Sequence, residues 1–145
     1  MIAIIPARKN SKGLKKKNIL PINNKPLISY SIQQALKSKF ITEVIVSTDC
    51  REIKRISQKN GANVPFLRPK YLASDKSDAI YTYRYTINKL EKIKKVKIKN
   101  FIVLLPTSPL RKVEDIDGAI KLFHKKKADS VISITETSFP IFWNL

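Results

Sequence analysis

The sequence is poor in glycine, cysteine and acidic residues, and it has no long apolar run. Its 145 residues include three glycines and one cysteine, and 11 acidic residues stand against 29 Lys and Arg. Neither the G-x-x-x-x-G-K-[ST] nor the G-x-G-x-x-G pattern occurs, which excludes the two common glycine-rich phosphate loops. A single cysteine forms no internal disulfide, as is usual in a reducing compartment.

Membrane insertion and secretion are not expected either. No apolar run approaches the roughly 20 residues of a membrane-spanning helix. The apolar residues 1–5 are too few for a signal-peptide core, and their charges follow rather than precede them. We therefore expect a cytoplasmic protein without a membrane partner.

The net charge of +18 raises the question of a nucleic-acid partner. The densest basic run, KLEKIKKVKIKN at 89–100, contains no arginine and no aromatic residue. Stacking on bases depends on such side chains, so this run is more typical of a solvated helix end. We expect no nucleic-acid partner.

Apolar patterning alternates between buried strands and amphipathic helices. Strands are expected at 1–5, 43–48, 100–105 and 129–135, an extended piece at 62–69, and helices at 27–38, after 49, from about 77 and around 116–123. Asp49 and Glu52 predict a capping box. Strands that alternate with helices predict an α/β fold, with a mostly parallel sheet and helices on both faces.

The third helix and the tail after the last strand carry two further expectations. Ile80, Tyr83, Ile87 and Leu90 are expected on the buried side of that helix. Phe139, Phe142 and Trp143 are expected to pack against a part of the protein that this sequence lacks, or to remain as an exposed apolar patch.

The basic loop 6–18 is the best candidate for a functional site. In such sheets ligands bind beyond the carboxyl ends of the strands, where loops 6–18, 48–51 and 106–112 meet. Within the first loop, Arg8 offers a fork for two phosphate oxygens, Lys12 and Lys17 offer point charges, and Ser11 and Asn18 offer neutral hydrogen bonds. Crowded cations repel each other unless an anion joins them, which favours a polyphosphate ligand. A solvated basic loop is the alternative.

The spacing of this loop resembles a known signature. IPARKNSKGLKKKNI at 5–19 is similar to I-P-A-R-x-x-S-K-G-x-x-x-K-N of the acylneuraminate (CMP-sialic acid) cytidylyltransferase family. Further blocks resemble that family in the same order: NNKPLISYSIQQAL, EVIVSTD, GANVPFLRP, LASD, LLPTSPLR, EDIDGAI and ADSVISITE. The resemblance covers essentially all 145 residues.

The resemblance implies a Rossmann-like, GT-A-like nucleotidyltransferase that transfers CMP from CTP to a nonulosonic, sialic-acid-like sugar and releases pyrophosphate. It implies Mg²⁺ as cofactor and a homodimer for the full-length protein. By the family pattern, Arg8 and Asn18 contact the nucleotide, Lys17 faces its phosphates, and Arg68 and Ser77 are further substrate-binding residues. Arg8 and Lys17 are the expected catalytic residues, because charge builds up on phosphoryl oxygens.

Two local departures from the family pattern concern the sugar. Leu105 stands where the family usually has a substrate-contacting glutamine. Ala79 stands where sialic acid enzymes commonly have serine, and the neighbouring Asp78 resembles members that act on other bacterial nonulosonates, such as legionaminic acid. The choice of sugar therefore stays open.

The third departure is length. Family members are longer, so residues 1–145 are expected to form a cytidylyltransferase domain truncated at the C-terminus. Alone, this domain is expected to be a poor catalyst. The Mg²⁺ ligands are expected in the missing part, and no metal ligand is assigned in this chain. The alternatives are a 3-deoxy-manno-octulosonate cytidylyltransferase, which LLPTSPLR disfavours, and an inactive basic nucleotide-binding fragment. A further alternative is a basic module that binds RNA or anionic surfaces without catalysis.

Overall fold

A three-stranded parallel sheet forms the centre of the molecule. The computed structural model describes residues 1–11, 13–74 and 77–136. The sheet consists of β1 (Ile2–Pro6), β4 (Glu43–Ser47) and β5 (Phe101–Val103), in the order β4-β1-β5, and a small hairpin pairs β2 (Pro21–Ile22) with β3 (Lys25–Pro26). In register, Ile2 of β1 lies opposite Glu43 on one side and Phe101 on the other.

Four helices cover the sheet, and two short 3₁₀ turns lie in the connections. The helices are α1 (Leu27–Lys37), α2 (Arg51–Lys59), α3 (Ala79–Lys94) and α4 (Val113–Lys126), and the 3₁₀ turns are Lys17–Ile19 and Lys70–Ala73. No helix in the described residues is both long and apolar enough to cross a lipid bilayer.

β1 and β4 are buried on both faces, as their continuous apolar sequences predict, whereas β5 is less buried and its Phe101 is 39% exposed. Ala3 and Ile5 of β1 pack into a core with residues of α1, α2 and α4, such as Ile28 and Ile53. The other face is covered by α3, where the Ser47 and Thr86 hydroxyls lie 2.9 Å apart. Helices therefore cover both faces, and the expected α/β architecture is confirmed.

The buried face of α3 differs from the prediction. Thr82, Thr86 and Leu90 are buried, whereas Ile80 is 50% exposed. The reason is the hydroxyl of Ser47 on the sheet surface beneath the helix. A threonine satisfies that group, whereas an isoleucine would leave it without a hydrogen bond at a cost of about 1–3 kcal/mol.

The expected capping box at α2 is also wrong. The N-cap position belongs to Cys50, whose backbone N–H donates to Thr48 Oγ1 at 3.1 Å. Asp49 instead accepts a hydrogen bond from the Lys9 backbone N–H at 2.8 Å. The Asp49 carboxylate, which local patterning assigned to the cap of α2, therefore accepts from the Lys9 amide, 40 positions away in the chain.

The expected strand at 129–135 does not form in the described part of this segment. Ile132 and Ile134 are 80% and 88% exposed. Residues 129–132 border a cavity of about 390 Å³ with β5 but do not pair with it. Alternating apolar residues make a strand only where a neighbour supplies hydrogen bonds, and none of the described residues does so here. The tail expectations at Phe139, Phe142 and Trp143 fall outside the described residues.

Candidate functional site

The site lies at the end of the strand on whose two sides the later strands are added. From β1 the chain crosses first to β4 on one side and later to β5 on the other, so the carboxyl end of β1 is the switch point where α/β sheets bind ligands. A cavity of about 420 Å³ opens there, within the usual size range for small-molecule sites. Loops after β1 and β5, parts of the connection that precedes α3, and the first turns of α3 line it. The lining residues are Pro6, Arg8, Ser11, Gly13, Lys17, Asn18, Arg68, Leu72, Ser74, Ser77, Ala79, Thr82, Tyr83, Leu105, Pro106 and Thr107.

The cavity brings together six of the seven predicted site residues. Arg8, Ser11, Lys17, Asn18, Arg68 and Ser77 all line it. The seventh, Lys12, falls outside the described residues. Residues that lie up to 69 positions apart in the chain therefore line the same cavity.

Hydrogen bonds hold the basic loop in place. The buried Asn18 donates through Nδ2 to the Arg8 carbonyl at 3.0 Å, which closes the loop on itself. Arg8 reaches across the cavity and donates through Nη1 to the Ser74 carbonyl at 3.2 Å. Lys17 begins the 3₁₀ turn Lys17–Ile19, which places its ammonium-bearing side chain on the cavity wall.

Arg68 is a buried cation at this site. It is only 6% exposed, and its backbone N–H donates to the Thr48 carbonyl at 2.7 Å. Its Nη1 lies 3.4 Å from Thr82 Oγ1, and its buried Nε has no hydrogen-bond partner among the described residues. A buried guanidinium with an unused donor is suited to receive an anion or a ligand carbonyl.

The electrostatics at Arg68 favour the same interpretation. Burial lowers the pKa of the Arg68 guanidinium below its ordinary value, and the positive charge of Arg8 lowers it further, while Asp49 raises it. The positive charges of Arg8 and Arg68 disfavour each other, and an anion bound between them would stabilise both. The arrangement is therefore built for a negatively charged ligand.

Asp49 connects the loop to this buried charge. Its Oδ1 accepts from the backbone of Lys9, and its negative charge offsets part of the cost of burying Arg68. Local patterning missed this role, because the signal is a contact between residues 40 positions apart.

Sequence reasoning also missed the wall formed by Leu72, Ser74, Thr82 and Tyr83. Burial raises the pKa of the Tyr83 phenol, with Arg68 lowering it and Asp78 raising it. The raised pKa favours the neutral hydroxyl, which can both donate and accept a hydrogen bond. The available signal was the LASD block, which contains Leu72 and Ser74.

The sequence departures lie at two places, in the loop after β5 and at the start of α3. Leu105 is 46% exposed and lines the cavity with hydrocarbon, while its carbonyl accepts from Ser31 Oγ at 3.2 Å and Arg111 Nη2 at 3.1 Å. Ala79 adds no hydroxyl to the lining, and Asp78 caps α3 by accepting from the Ile80 N–H at 3.1 Å. Leu105 and Ala79 thus add apolar side chains to the lining at the two positions that depart from the family pattern.

A metal centre is not found in the described parts of the chain, where no three His, Cys, Asp or Glu side chains converge. Asp49 is the carboxylate at the loop edge, and the Lys9 amide already occupies one of its oxygens. These residues do not fit a carboxylate cluster for Mg²⁺, which prefers near-octahedral oxygen ligation. No chemical step is derived through a metal.

Comparison with known proteins agrees with this geometry. A family described as Cytidylyltransferase matches residues 2–139 of the chain. The chain belongs to the cytidylyltransferase family. This confirms the family assignment that the sequence blocks predicted.

Curated relatives share this assignment. The chain is 39% identical to a CMP-N,N'-diacetyllegionaminic acid synthase of Legionella pneumophila, over 99% of this chain and 61% of the relative. It is 38% identical to an N-acylneuraminate cytidylyltransferase of Escherichia coli, over 97% of the chain and 32% of the relative. It is 34% identical to a pseudaminic acid cytidylyltransferase of Campylobacter jejuni, over 97% of this chain and 60% of the relative. The chain therefore spans less than two thirds of the length of these relatives.

Solved structures show the same fold. A CMP:2-keto-3-deoxy-manno-octonic acid synthetase complexed with CTP superposes with a TM-score of 0.70 at 24% identity, covering 88% of this chain and 48% of that one. A cytidylyltransferase from Leptospira borgpetersenii gives a TM-score of 0.66 at 23% identity, covering 88% of this chain and 50% of that one. The Rossmann-like nucleotidyltransferase fold is thereby confirmed.

Proposed function

We propose that this cytidylyltransferase binds CTP and transfers CMP to a nonulosonic acid, with release of pyrophosphate. The observation that carries the proposal is the convergence of Arg8, Lys17 and Arg68 on one cavity at the switch point of the sheet. The printed activities of the curated relatives supply the reaction and the sugar class. The activity is proposed for the protein that contains this chain.

The reaction needs fixed positive charge more than it needs a nucleophile on the protein. The anomeric hydroxyl oxygen of the sugar forms a bond to the α-phosphorus of CTP, and the bond from that phosphorus to the bridging oxygen of the β-phosphate breaks. Pyrophosphate leaves with the bond electrons, and the hydroxyl proton passes to solvent. Arg8 and Lys17 stabilise the charge that builds up on the phosphoryl oxygens, since they are in place before the reaction begins.

The other site residues bind rather than react. Ser11, Lys12, Asn18 and Ser77 supply hydrogen bonds and charge to the nucleotide and substrate. Asn18 also holds the Arg8 backbone, so it fixes the position of a cation that the reaction uses. Arg68 offers its unused Nε–H to a ligand acceptor.

The nucleotide half of the proposal is tested by calorimetry with CTP, UTP, ATP and GTP. We expect CTP to bind most tightly. Equal affinity for all four nucleotides, with a steep loss of binding in salt, would instead indicate a nonspecific basic surface. That result would contradict the base-specific site.

The sugar half is tested by pyrophosphate release from CTP with four acceptors. The acceptors are N,N'-diacetyllegionaminic acid, N-acetylneuraminic acid, pseudaminic acid and 3-deoxy-manno-octulosonic acid. We expect a nonulosonic acid to give turnover, with the legionaminic type first because of Asp78 and Ala79. Turnover with 3-deoxy-manno-octulosonic acid alone would favour the alternative enzyme.

Three further properties belong to this proposal. We propose Mg²⁺ as the cation that accompanies the nucleotide, with its protein ligands outside the described residues. We propose a homodimer for the full-length protein, which analytical ultracentrifugation tests. We propose a cytoplasmic location, which agrees with the buried, free thiol of Cys50 and is tested by cell fractionation.

A further inference from the structure

The amino-terminal edge of the sheet, opposite the cavity, carries a second concentration of positive charge. Helices α1, α3 and α4 run antiparallel to the strands, so their C-termini lie at this edge. We call residues 37–39, 91–99 and 121–127 the basal face. These ranges contain two, five and four lysines, respectively, and Glu91 as their one acidic residue.

Contacts on three sides join these segments into one face. Lys94 at the end of α3 pairs with Glu43 at the start of β4, with Nζ and Oε2 2.7 Å apart. The Lys121 ammonium of α4 lies 5.7 Å from the centre of the Phe40 ring, just beyond α1. Lys99 and Phe123 border the same cavity, which ties the approach to β5 to the end of α4. The lysines are therefore neighbours in space as well as in sequence.

Most of this charge is not neutralised by neighbouring carboxylates. In the described residues, ion pairs on this face join Lys94 to Glu43 and Lys97 to Glu91, and the latter spans 3.5 Å with the Lys97 side chain 87% exposed. Helix dipoles favour a lysine or two at each C-terminus. Five lysines in residues 92–99 exceed that need.

Exposed apolar side chains lie between the lysines. Ile93 and Val96 are 50% and 55% exposed at the end of α3, and Leu122 is 45% exposed on α4. Exposed apolar side chains do not increase solubility, so solubility alone does not explain these three. Cations mixed with shallow apolar groups are typical of proteins that rest on the headgroup region of a membrane.

We propose that the basal face docks on anionic lipid headgroups. Lysine acts as a flexible point charge and gains about 1 kcal/mol near such a surface, without requiring a fixed geometry from its partner. The apolar side chains enter the headgroup boundary beside it. A nucleic acid fits less well, because the face has no arginine, and stacking on bases favours arginine and clustered aromatic residues.

The two edges are compatible with simultaneous use. The cavity opens at the carboxyl ends of the strands, so a protein docked by its basal face leaves the cavity lined by Arg8, Lys17 and Arg68 accessible from solvent. Docking of this kind needs no membrane-spanning segment. The absence of long apolar runs led to the expectation of no membrane partner, but that absence bears on insertion and not on docking at the surface.

The test is cosedimentation of the protein with vesicles of phosphatidylcholine alone and of phosphatidylcholine with phosphatidylglycerol. We expect binding to the second kind only, and a loss of binding as salt rises. The triple variant Lys92→Gln, Lys99→Gln and Lys126→Gln is expected to bind about 100-fold more weakly. The pair Ile93→Ser and Val96→Ser is expected to cost about tenfold, with unchanged salt dependence.

The matched control is Lys25→Gln, Lys70→Gln and Lys112→Gln, which removes the same charge from exposed lysines away from the basal face. We expect less than a threefold change in vesicle binding, and circular dichroism confirms that each variant is folded. Equal losses in both triple variants would overturn the proposal, because net charge alone would then explain binding. No binding to phosphatidylglycerol vesicles would overturn it too, as would tighter binding to a uridine homopolymer than to vesicles at equal charge.

Discussion

Both edges of the sheet are strongly basic, but they hold their cations in different ways. At the carboxyl edge, Arg68 is 6% exposed and Arg8 is tied by hydrogen bonds on its side chain and its carbonyl. At the amino edge, the lysines are exposed and spread over three helix ends. Positive charge makes a selective site where the fold fixes it around a cavity, and a diffuse attractive surface where it does not.

The largest expected effect separates Lys17 from its neighbours in the basic loop. Lys17→Ala should lower the rate of pyrophosphate release by about 10²–10³, the scale for losing one preorganised charge-stabilising group. Steady-state kinetics of the full-length protein measure this effect.

The structure indicates Lys15→Ala as the matched control for Lys17. Lys16 is less suitable, because it has a positive φ of 55° and pairs with Glu52 at 2.9 Å, so its substitution also disturbs the backbone and an ion pair. The exposed Lys15 should change turnover less than about threefold. Equal costs at both lysines would mean that the loop acts as a diffuse field, like the basal face.

The next effect concerns the buried cation. Arg68→Met should weaken CTP binding by about 100-fold, because charge-assisted hydrogen bonds to the ligand are lost. The melting temperature of the free protein should not fall, since an apolar side chain of similar length no longer requires a buried charge. Calorimetry and thermal unfolding measure the two quantities. Arg84→Met, at an exposed position of α3, is the control, and a similar loss of affinity there would contradict a specific role for Arg68.

A smaller effect with a diagnostic sign is expected at Asp49. Asp49→Ala removes the acceptor of the Lys9 N–H and should weaken CTP binding by about threefold to tenfold, on the scale of one hydrogen bond. Asp49→Asn keeps an oxygen acceptor and removes a negative charge near the ligand, so affinity should stay equal or rise. Titration of both variants with CTP distinguishes the roles. Equal weakening in both would show that the charge, and not the tether, matters.

The smallest expected effect is that of basal-face lysines on CTP binding at the opposite edge of the sheet. The triple variant Lys92→Gln, Lys99→Gln and Lys126→Gln should change CTP affinity less than about twofold at physiological salt, because the screening length of about 8 Å is shorter than the path across the sheet. Calorimetry at two ionic strengths checks this. A large loss of CTP affinity would mean that the two edges act as one electrostatic surface.

Local signals predicted most of the fold. Continuous apolar runs located β1, β4 and β5, and helical spacing located α1, α3 and α4, because burial on one or two faces leaves a periodic trace in the sequence. The expected cap at Asp49 located the start of α2 only approximately, since Cys50 is its N-cap. The hairpin of β2 and β3 was missed, although Asn23 and Asn24 carry its positive φ angles of 48° and 62°. Asparagine tolerates that conformation, so the signal was present.

The errors share a physical cause, since each concerns a partner distant in the chain. Thr86 replaced the expected isoleucines because Ser47 lies beneath it. Asp49 does not cap α2, because its carboxylate accepts a hydrogen bond from the Lys9 amide. The segment 129–135 did not pair because none of the described residues offers it a ladder of hydrogen bonds. Patterns within one segment contain no information about such neighbours.

The sequence by itself determined the α/β class and the family, since periodic burial and ordered motif blocks are written along the chain, and it named six residues that line one cavity. The tertiary structure alone decided that Arg68 is buried beside Arg8, that Asp49 tethers the basic loop, and that the lysines of three helix ends share one face. Side chains separated by dozens of residues meet only when βαβ crossovers bring strand ends to one edge and helix ends to the other. Their distances, and therefore their electrostatic coupling, arise from packing.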